Sequence, residues 1–183
     1  MTAKKVGADL DAMLERAFAE FYAGLMKSRG KWFGKERDCV NRFVMGHLLP
    51  ACSTGQYLVR DAAQISIEMA VGQPKTVGTK LTANKDVVIW RDKFSTCWNS
   101  QLKPVNTPLA VIEWKVRHPK AAKQSIKRAT SHDRAWLGAF TTPPSQSLGY
   151  SVYLEWTRGW GPGTFVVARC MAGEWNDEWF VRS

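Results

Sequence analysis

The sequence has no paired cysteines, few histidines and no long apolar run. Its four cysteines form no C-x-x-C pair, and with only three histidines they do not produce a zinc-binding spacing. We interpret the cysteines as reduced thiols of the core. The longest apolar stretches fall far short of the roughly 18 to 20 residues that a membrane span requires, and the N-terminus lacks the apolar segment of a secretory signal. These absences predict no membrane span and, by default, a cytoplasmic location.

Acidic residues are scarce relative to basic ones. The 183 residues include 26 lysines and arginines against 16 aspartates and glutamates, which gives a net charge of +10 and a pI near 9.7. This balance favours a polyanionic partner, with nucleic acid ahead of an acidic membrane surface or a ribosomal setting. The chain is 45% hydrophobic, and residues 1–183 are enough for a single domain with its own core.

Hydrophobic periodicity predicts the order of helices and strands. The predicted elements are helices at 8–27 and 35–49, strands at 64–71, 85–90 and 107–116, a helix at 120–137, and strands at 150–156 and 164–170. Pro50 is expected to end the second helix. Alternate residues from Ile65 to Val71 are expected to share one face of the first strand. The predicted fold class is α/β, a mixed β-sheet flanked by helices in the order α-α-β-β-β-α-β-β.

A carboxylate and a lysine stand two residues apart in the strand at 107–116. Because side chains alternate across a strand, Glu113 and Lys115 share a face, and an exposed cross-strand ion pair would explain them. Asp86 lies near the start of the preceding strand, so pairing of the two strands would bring Asp86 and Glu113 together beside Lys115. Such oxygen ligands suit Mg²⁺ or Mn²⁺. A metal ion held there could polarise a phosphodiester and activate water.

These residues resemble the motif of the PD-(D/E)xK superfamily, the restriction-endonuclease-like nucleases. The likeness rests on a helix bearing Glu36, a strand with Asp86 near its start, and the triplet Glu113-x-Lys115. It implies that Asp86 and Glu113 bind the metal and that Glu36 adds a carboxylate from the first core helix. It also implies that Lys115 orients the nucleophile or stabilises charge. One departure is Lys85, which stands where the family motif has proline.

The resemblance also implies a division of the chain. The family core is a helix, a meander of three strands, a helix and a further strand, and residues 34–156 follow that order. Residues 1–33 then form an N-terminal helical extension, and residues 157–183 form a C-terminal strand or hairpin. The apolar stripe of the first helix could pack on its own sheet or pair two subunits, so a homodimer is one expectation.

Basic residues follow the triplet at helical spacing. Lys120, Lys123 and Lys127 would form one face, which could track phosphates or simply be solvated. Gln124 resembles a polar residue that some family members carry on this helix. The tyrosine that accompanies it one turn later is replaced here by Arg128.

The remaining features have an ordinary structural interpretation beside a functional one. The C-terminal tryptophans could stack on unpaired bases or pack in the core; they are Trp156, Trp160, Trp175 and Trp179. Glu68 is predicted on the polar side of its strand, either as an exposed glutamate or as a further carboxylate near the metal.

Three functions follow as hypotheses. The first is a metal-dependent nuclease that hydrolyses phosphodiester bonds of DNA with Mg²⁺ or Mn²⁺. The second is a non-catalytic nucleic-acid-binding or scaffold module of the same fold, in which the acidic pair belongs to an ordinary ion-pair cluster. The third is a structural protein whose basic surface binds an acidic protein. The sequence leaves open whether the substrate is duplex, single-stranded or branched DNA, or RNA.

Overall fold

A six-stranded mixed sheet with helices on both faces forms the centre of the fold. The computed structural model describes residues 3–29, 31–32, 34–121, 125–159 and 161–182. The helices are α1 (Ala3–Lys27), α2 (Glu36–Phe43), α3 (Leu49–Ser53), α4 (Ile126–Ala129) and α5 (Ser131–Thr141). The strands are β1 (Ile65–Gly72), β2 (Thr82–Ile89), β3 (Ala110–Arg117), β4 (Leu148–Trp156), β5 (Pro162–Met171) and β6 (Glu174–Arg182). The mixed α/β class predicted from periodicity is confirmed.

The strands lie in the sheet in chain order, from β1 to β6. Neighbouring strands are antiparallel except for β3 and β4, which are parallel. A parallel pair needs a crossover, and α4 and α5 provide it. The last strand, β6, was not separated as an element by periodicity, because most of its side chains are exposed or half-buried and charged residues interrupt its apolar pattern.

Helix α1 packs on one face of its own sheet. Its apolar stripe is almost fully buried; the stripe consists of Leu10, Met13, Leu14, Ala17, Phe18, Phe21 and Leu25. The ring centroid of Phe18 lies 4.6 Å from that of Phe43 on α2, and the Phe21 ring lies 5.5 Å from Trp114 on β3. The stripe is therefore covered within the chain. No helix in the described part of the chain is long and apolar enough to cross a membrane.

The second helical segment continues beyond Pro50. Helix α2 leads through a π-helical turn, Val44–Leu48, directly into α3. Pro50 lies in the first turn of α3, where its missing N–H costs little and its fixed φ suits a helix. The prediction that Pro50 ends the helix was wrong for this reason.

Helix α5 covers part of the other face of the sheet. Trp136, Leu137 and Phe140 pack there against a smaller apolar cluster that includes Val88 and Val111. The helix predicted at 120–137 was wrong at both ends. Helix α4 begins only after Ser125, whose hydroxyl caps it by accepting from the Arg128 amide at 3.4 Å, and α5 continues to Thr141.

Strands β1 and β2 exchange faces midway. Ile67 packs with the α1 cluster, whereas Met69 packs with the α5 cluster. Between them Glu68 has a φ of 52°, which interrupts the alternation. The prediction that alternate residues from Ile65 to Val71 share one face was therefore wrong. Lys85, which pairs with Met69 across the ladder, is turned toward α5 in the same way.

Candidate active site

The site forms where β2 and β3 separate. Their ladder ends at the pair Val87 and Ile112, so amides of β3 beyond this point need other partners. The Oδ2 atom of Asp86 accepts a hydrogen bond from the Trp114 amide at 2.7 Å. Two residues further along β3, the Oε2 atom of Glu36 accepts a hydrogen bond from the Val116 amide at 3.2 Å. Two carboxylates thus replace the missing strand along this edge of β3.

Glu113 points to the α5 face and is buried beside Asp86. Its Oε2 atom lies 3.4 Å from the Asp86 amide nitrogen, which donates to it. The expected meeting of Asp86 and Glu113 is therefore present in the structure. The other carboxylate oxygen, Oε1, accepts from the ammonium of Lys85, with both side chains only 6–7% exposed. That ammonium also lies 3.9 Å from the ring centroid of Trp136 on α5.

Lys115 has different partners from Glu113. Its Nζ atom lies 3.5 Å from Oε1 of Glu36 and 3.5 Å from Oδ2 of Asp133, which is in the first turn of α5. The interpretation of Glu113 and Lys115 as an exposed ion pair was wrong, because Glu113 is buried and its cationic partner is Lys85. Lys115 instead links the helices on the two faces of the sheet.

Burial is the main influence on the acidic groups. It raises the pKa of Glu113 to about 7, against the attraction of Lys85, and the nearby charge of Asp86 adds to the rise. Burial likewise raises the pKa of Asp86, although the Trp114 amide favours its charged form. It also raises the pKa of Glu36 in spite of the charge of Lys115. Each of these carboxylates would be stabilised by an added cation.

The pKa of Lys115 is shifted upward, which preserves the charge of its ammonium group. Burial alone would lower its pKa, but the carboxylates of Asp133, Glu36 and Asp86 outweigh burial and raise it. The ammonium therefore stays protonated at neutral pH. A lysine in this state can stabilise negative charge or hold a water molecule by donating a hydrogen bond, but it is not a proton acceptor.

The cluster has an excess of acidic groups, although the protein as a whole is basic. Four carboxylates face two ammonium groups; the carboxylates are those of Glu36, Asp86, Glu113 and Asp133, and the ammonium groups are those of Lys85 and Lys115. When all are ionised, two negative charges remain uncompensated. An excess of hard oxygen donors suits a divalent cation such as Mg²⁺.

The hydrogen bonds of the cluster restrict how a metal could enter. Both carboxylate oxygens of Glu113 and the Oδ2 atom of Asp86 already accept hydrogen bonds. Within the described residues, no three acidic, histidine or cysteine side chains are placed together for metal binding. The donor chemistry fits Mg²⁺ or Mn²⁺ at Asp86 and Glu113, provided that Lys85 moves away from Glu113.

The predicted basic helix face is divided between two places. Lys120 lines a cleft of about 570 Å³ at the end of β3, together with Arg117 and Arg158. Lys127 is 82% exposed and lies 3.7 Å from Asp177 on β6, beside a separate cavity. The predictions for Lys123 and Gln124 fall outside the residues that the structure describes.

The described C-terminal tryptophans make contacts within the chain. Trp156 is buried and donates to the carbonyl of Gly34 at 3.0 Å, and Trp179 packs 5.2 Å from the Tyr150 ring. Trp175 lies under the guanidinium of Arg134 at 4.1 Å. These contacts support the structural interpretation. Trp160 lies outside the described residues.

Sequence reasoning missed several charged residues that line the site. Lys85 is one of them, because regular alternation along β2 would turn its side chain away from Glu113. Asp133 belongs to no motif and reaches Lys115 only through the packing of α5. Arg158 reaches the cleft from the connection between β4 and β5.

Glu68, predicted either as an exposed glutamate or as a further carboxylate near the metal, forms an exposed ion pair with Arg37 at 2.9 Å.

Comparison with known proteins places the chain in no family. No family model, no curated protein and no solved structure matches it. The function must therefore be argued from the geometry of the site.

Proposed function

We propose that the protein is a metal-dependent nuclease that hydrolyses phosphodiester bonds of DNA at the cluster of Asp86, Glu113, Glu36 and Lys115. The observation that carries the proposal is the separation of β2 from β3. It places the carboxylates of Asp86 and Glu36 on consecutive outward amides of β3, with Lys115 beside them. The half-buried side chains of Glu36 and Lys115 would then lie beside the same substrate phosphate.

The topology supports a restriction-endonuclease-like core. Helix α2 precedes the antiparallel meander of β1, β2 and β3, and α4 and α5 lead to β4, parallel to β3. This is the order that the resemblance to PD-(D/E)xK nucleases implies. Glu36 is the first residue of α2, as the resemblance implies. Asp86 lies in the middle of β2 and not near its start as predicted, at the point where β2 separates from β3.

The residues divide the proposed reaction among them. Asp86 and Glu113 would hold Mg²⁺ or Mn²⁺, with Glu36 completing or orienting the ligand set. When bound, the cation supplies polarisation of the phosphodiester and a lower pKa for the attacking water. Lys115 donates to that water or to the phosphate oxygen and stabilises the negative charge that develops there. Its raised pKa suits this role and not that of a general base.

The basic cleft supplies a path for the substrate backbone. Arg117 lies two residues after Lys115 on β3, and Lys120 and Arg158 add exposed cationic groups around the same 570 Å³ cleft. Arg117 is held by Glu155 at 2.6 Å, which fixes its guanidinium in place. Lysine and arginine side chains arranged in this way bind phosphates without reading base sequence.

One observation favours a second function, a nucleic-acid-binding or scaffold module without catalysis. The buried pair of Lys85 and Glu113 satisfies a carboxylate that a nuclease would leave for metal. In that case the cluster stabilises the fold and binding comes from the basic cleft alone. The two functions differ in their dependence on metal.

The deciding experiment measures cleavage of plasmid and single-stranded DNA with Mg²⁺, Mn²⁺ or EDTA. The nuclease requires metal, and Asp86→Ala and Lys115→Ala should each slow it by about a hundredfold or more. Glu174→Ala and Lys5→Ala make matched changes at exposed residues outside the cluster and should cut normally. Retained DNA binding with no cleavage under any metal would reject the nuclease in favour of the binding module.

A further inference from the structure

Lys85 is the most unusual residue of the site. It is 6% exposed, its ammonium is bonded to Glu113, and the ring of Trp136 covers it at 3.9 Å. A lysine is rarely buried unless it is paired, and this one is paired with a carboxylate proposed to bind metal. Its position directly before Asp86 ties it to the divergence of β2.

The face exchange of β2 is what brings Lys85 to this place. With regular alternation, Lys85 would share the face of Val87 and point toward α1. Because the face changes between Met69 and Ile67 on β1, the paired residue Lys85 points to α5 and reaches Glu113. The irregular backbone at Glu68 therefore has a consequence for the charge of the site.

We propose that Lys85 is an internal cation that occupies Glu113 in the metal-free protein and is displaced when a divalent metal ion binds. This inference rests on the proposed function and adds a residue that sets the metal affinity of the site. Lys85 keeps the buried carboxylate paired until metal arrives, so a metal ion must compete with a cation that is already in contact with Glu113. The affinity for metal is lowered by the free energy needed to separate Lys85 from Glu113.

Trp136 gives the displaced ammonium a place to remain. The ring face is already in contact with Lys85, and a cation over an aromatic ring in a buried site is favourable. A small rotation of the lysine side chain could separate it from Glu113 without exposing the charge to an apolar surrounding. The displacement therefore needs no rearrangement of the sheet.

The test measures Mn²⁺ binding by the loss of the free-ion signal in electron paramagnetic resonance, at pH 8.0 to limit competition by protons for Glu113. Lys85→Met keeps the length of the side chain and removes its charge. It should bind Mn²⁺ about tenfold or more tightly than the natural protein, because a repelling charge in contact with the ligand is gone. Lys5→Met makes the same change in net charge at an exposed position on α1 and should bind as the natural protein does.

The outcomes separate this inference from the nuclease proposal. If the natural protein binds Mn²⁺ and Asp86→Ala does not, the metal site stands. If Lys85→Met then binds Mn²⁺ no more tightly than the natural protein, the proposed role of Lys85 is wrong and the metal site is unaffected. If neither protein binds Mn²⁺, both the metal-dependent function and this inference fail.

A second variant guards against a failure of Lys85→Met to fold. Lys85→Gln removes the charge but retains a hydrogen-bond donor for Glu113 and should also bind Mn²⁺ more tightly. The rise in melting temperature on adding Mn²⁺ should be larger for either variant than for the natural protein, because tighter binding to the folded state gives greater stabilisation. An equal rise in all three proteins would contradict displacement.

Discussion

Trp114 and Glu113 are neighbours on β3, yet they enter opposite kinds of interior. Trp114 is fully buried among Phe21 and Phe43 under the helices α1 and α2. Glu113 is almost as deeply buried under α5, but its partners are Lys85 and the backbone of Asp86. Burial of apolar side chains on the first face stabilises the fold, whereas burial of charged groups on the second face costs free energy of desolvation. The residues of the proposed site lie on the second face.

The largest expected effect lies on the aromatic face. Phe18→Ala should lower the free energy of unfolding by about 3–5 kcal/mol, because Phe18 is fully buried and its ring contacts Phe43, Trp114 and Phe165. Urea unfolding of the metal-free protein measures the loss. The size of the loss should be the same at pH 5 and pH 7, since no charge is involved. A loss below 1 kcal/mol would mean that this face is not the stabilising one.

A smaller, pH-dependent effect is expected on the charged face. The pKa of Glu113 is about 7 in the folded protein against a usual 4.5, so Glu113 keeps its proton to a higher pH in the folded state than in the unfolded chain. The contribution to stability is complete below pH 4.5 and is lost as the pH rises through 7. The slope from this group approaches about 1.4 kcal/mol per pH unit between these values. Asp86 and Glu36 are shifted in the same direction.

Glu113→Gln should flatten this pH profile. The variant cannot ionise at this position, so the fall in stability between pH 4.5 and 7 should become shallower when unfolding is followed in EDTA. Glu174→Gln makes the same change at an exposed position and should leave the slope as it was. An unaltered slope in Glu113→Gln would show that the burial of this carboxylate does not govern the pH dependence.

The sequence predicts the two faces unequally. The aromatic face follows from local spacing, since the stripe of α1 and the alternation of β3 are visible without the fold. The meeting of Asp86 and Glu113 could also be predicted, because it needs only one antiparallel pair of strands. The partners Lys85 and Asp133 could not, since one depends on an exchange of strand faces and the other on how α5 packs. Neither leaves a periodic signal.

The smallest expected effect concerns Glu68, where the faces are exchanged. Its side chain forms an exposed ion pair with Arg37, worth about 0–1 kcal/mol, while its φ of 52° favours glycine. Glu68→Gly should therefore have nearly the stability of the natural protein, and Glu68→Ala should be about 1 kcal/mol less stable than Glu68→Gly. Both variants lose the ion pair, so the difference between them reports the backbone alone. Equal stabilities would mean that the left-handed conformation at Glu68 does not maintain the exchange that directs Lys85 to Glu113.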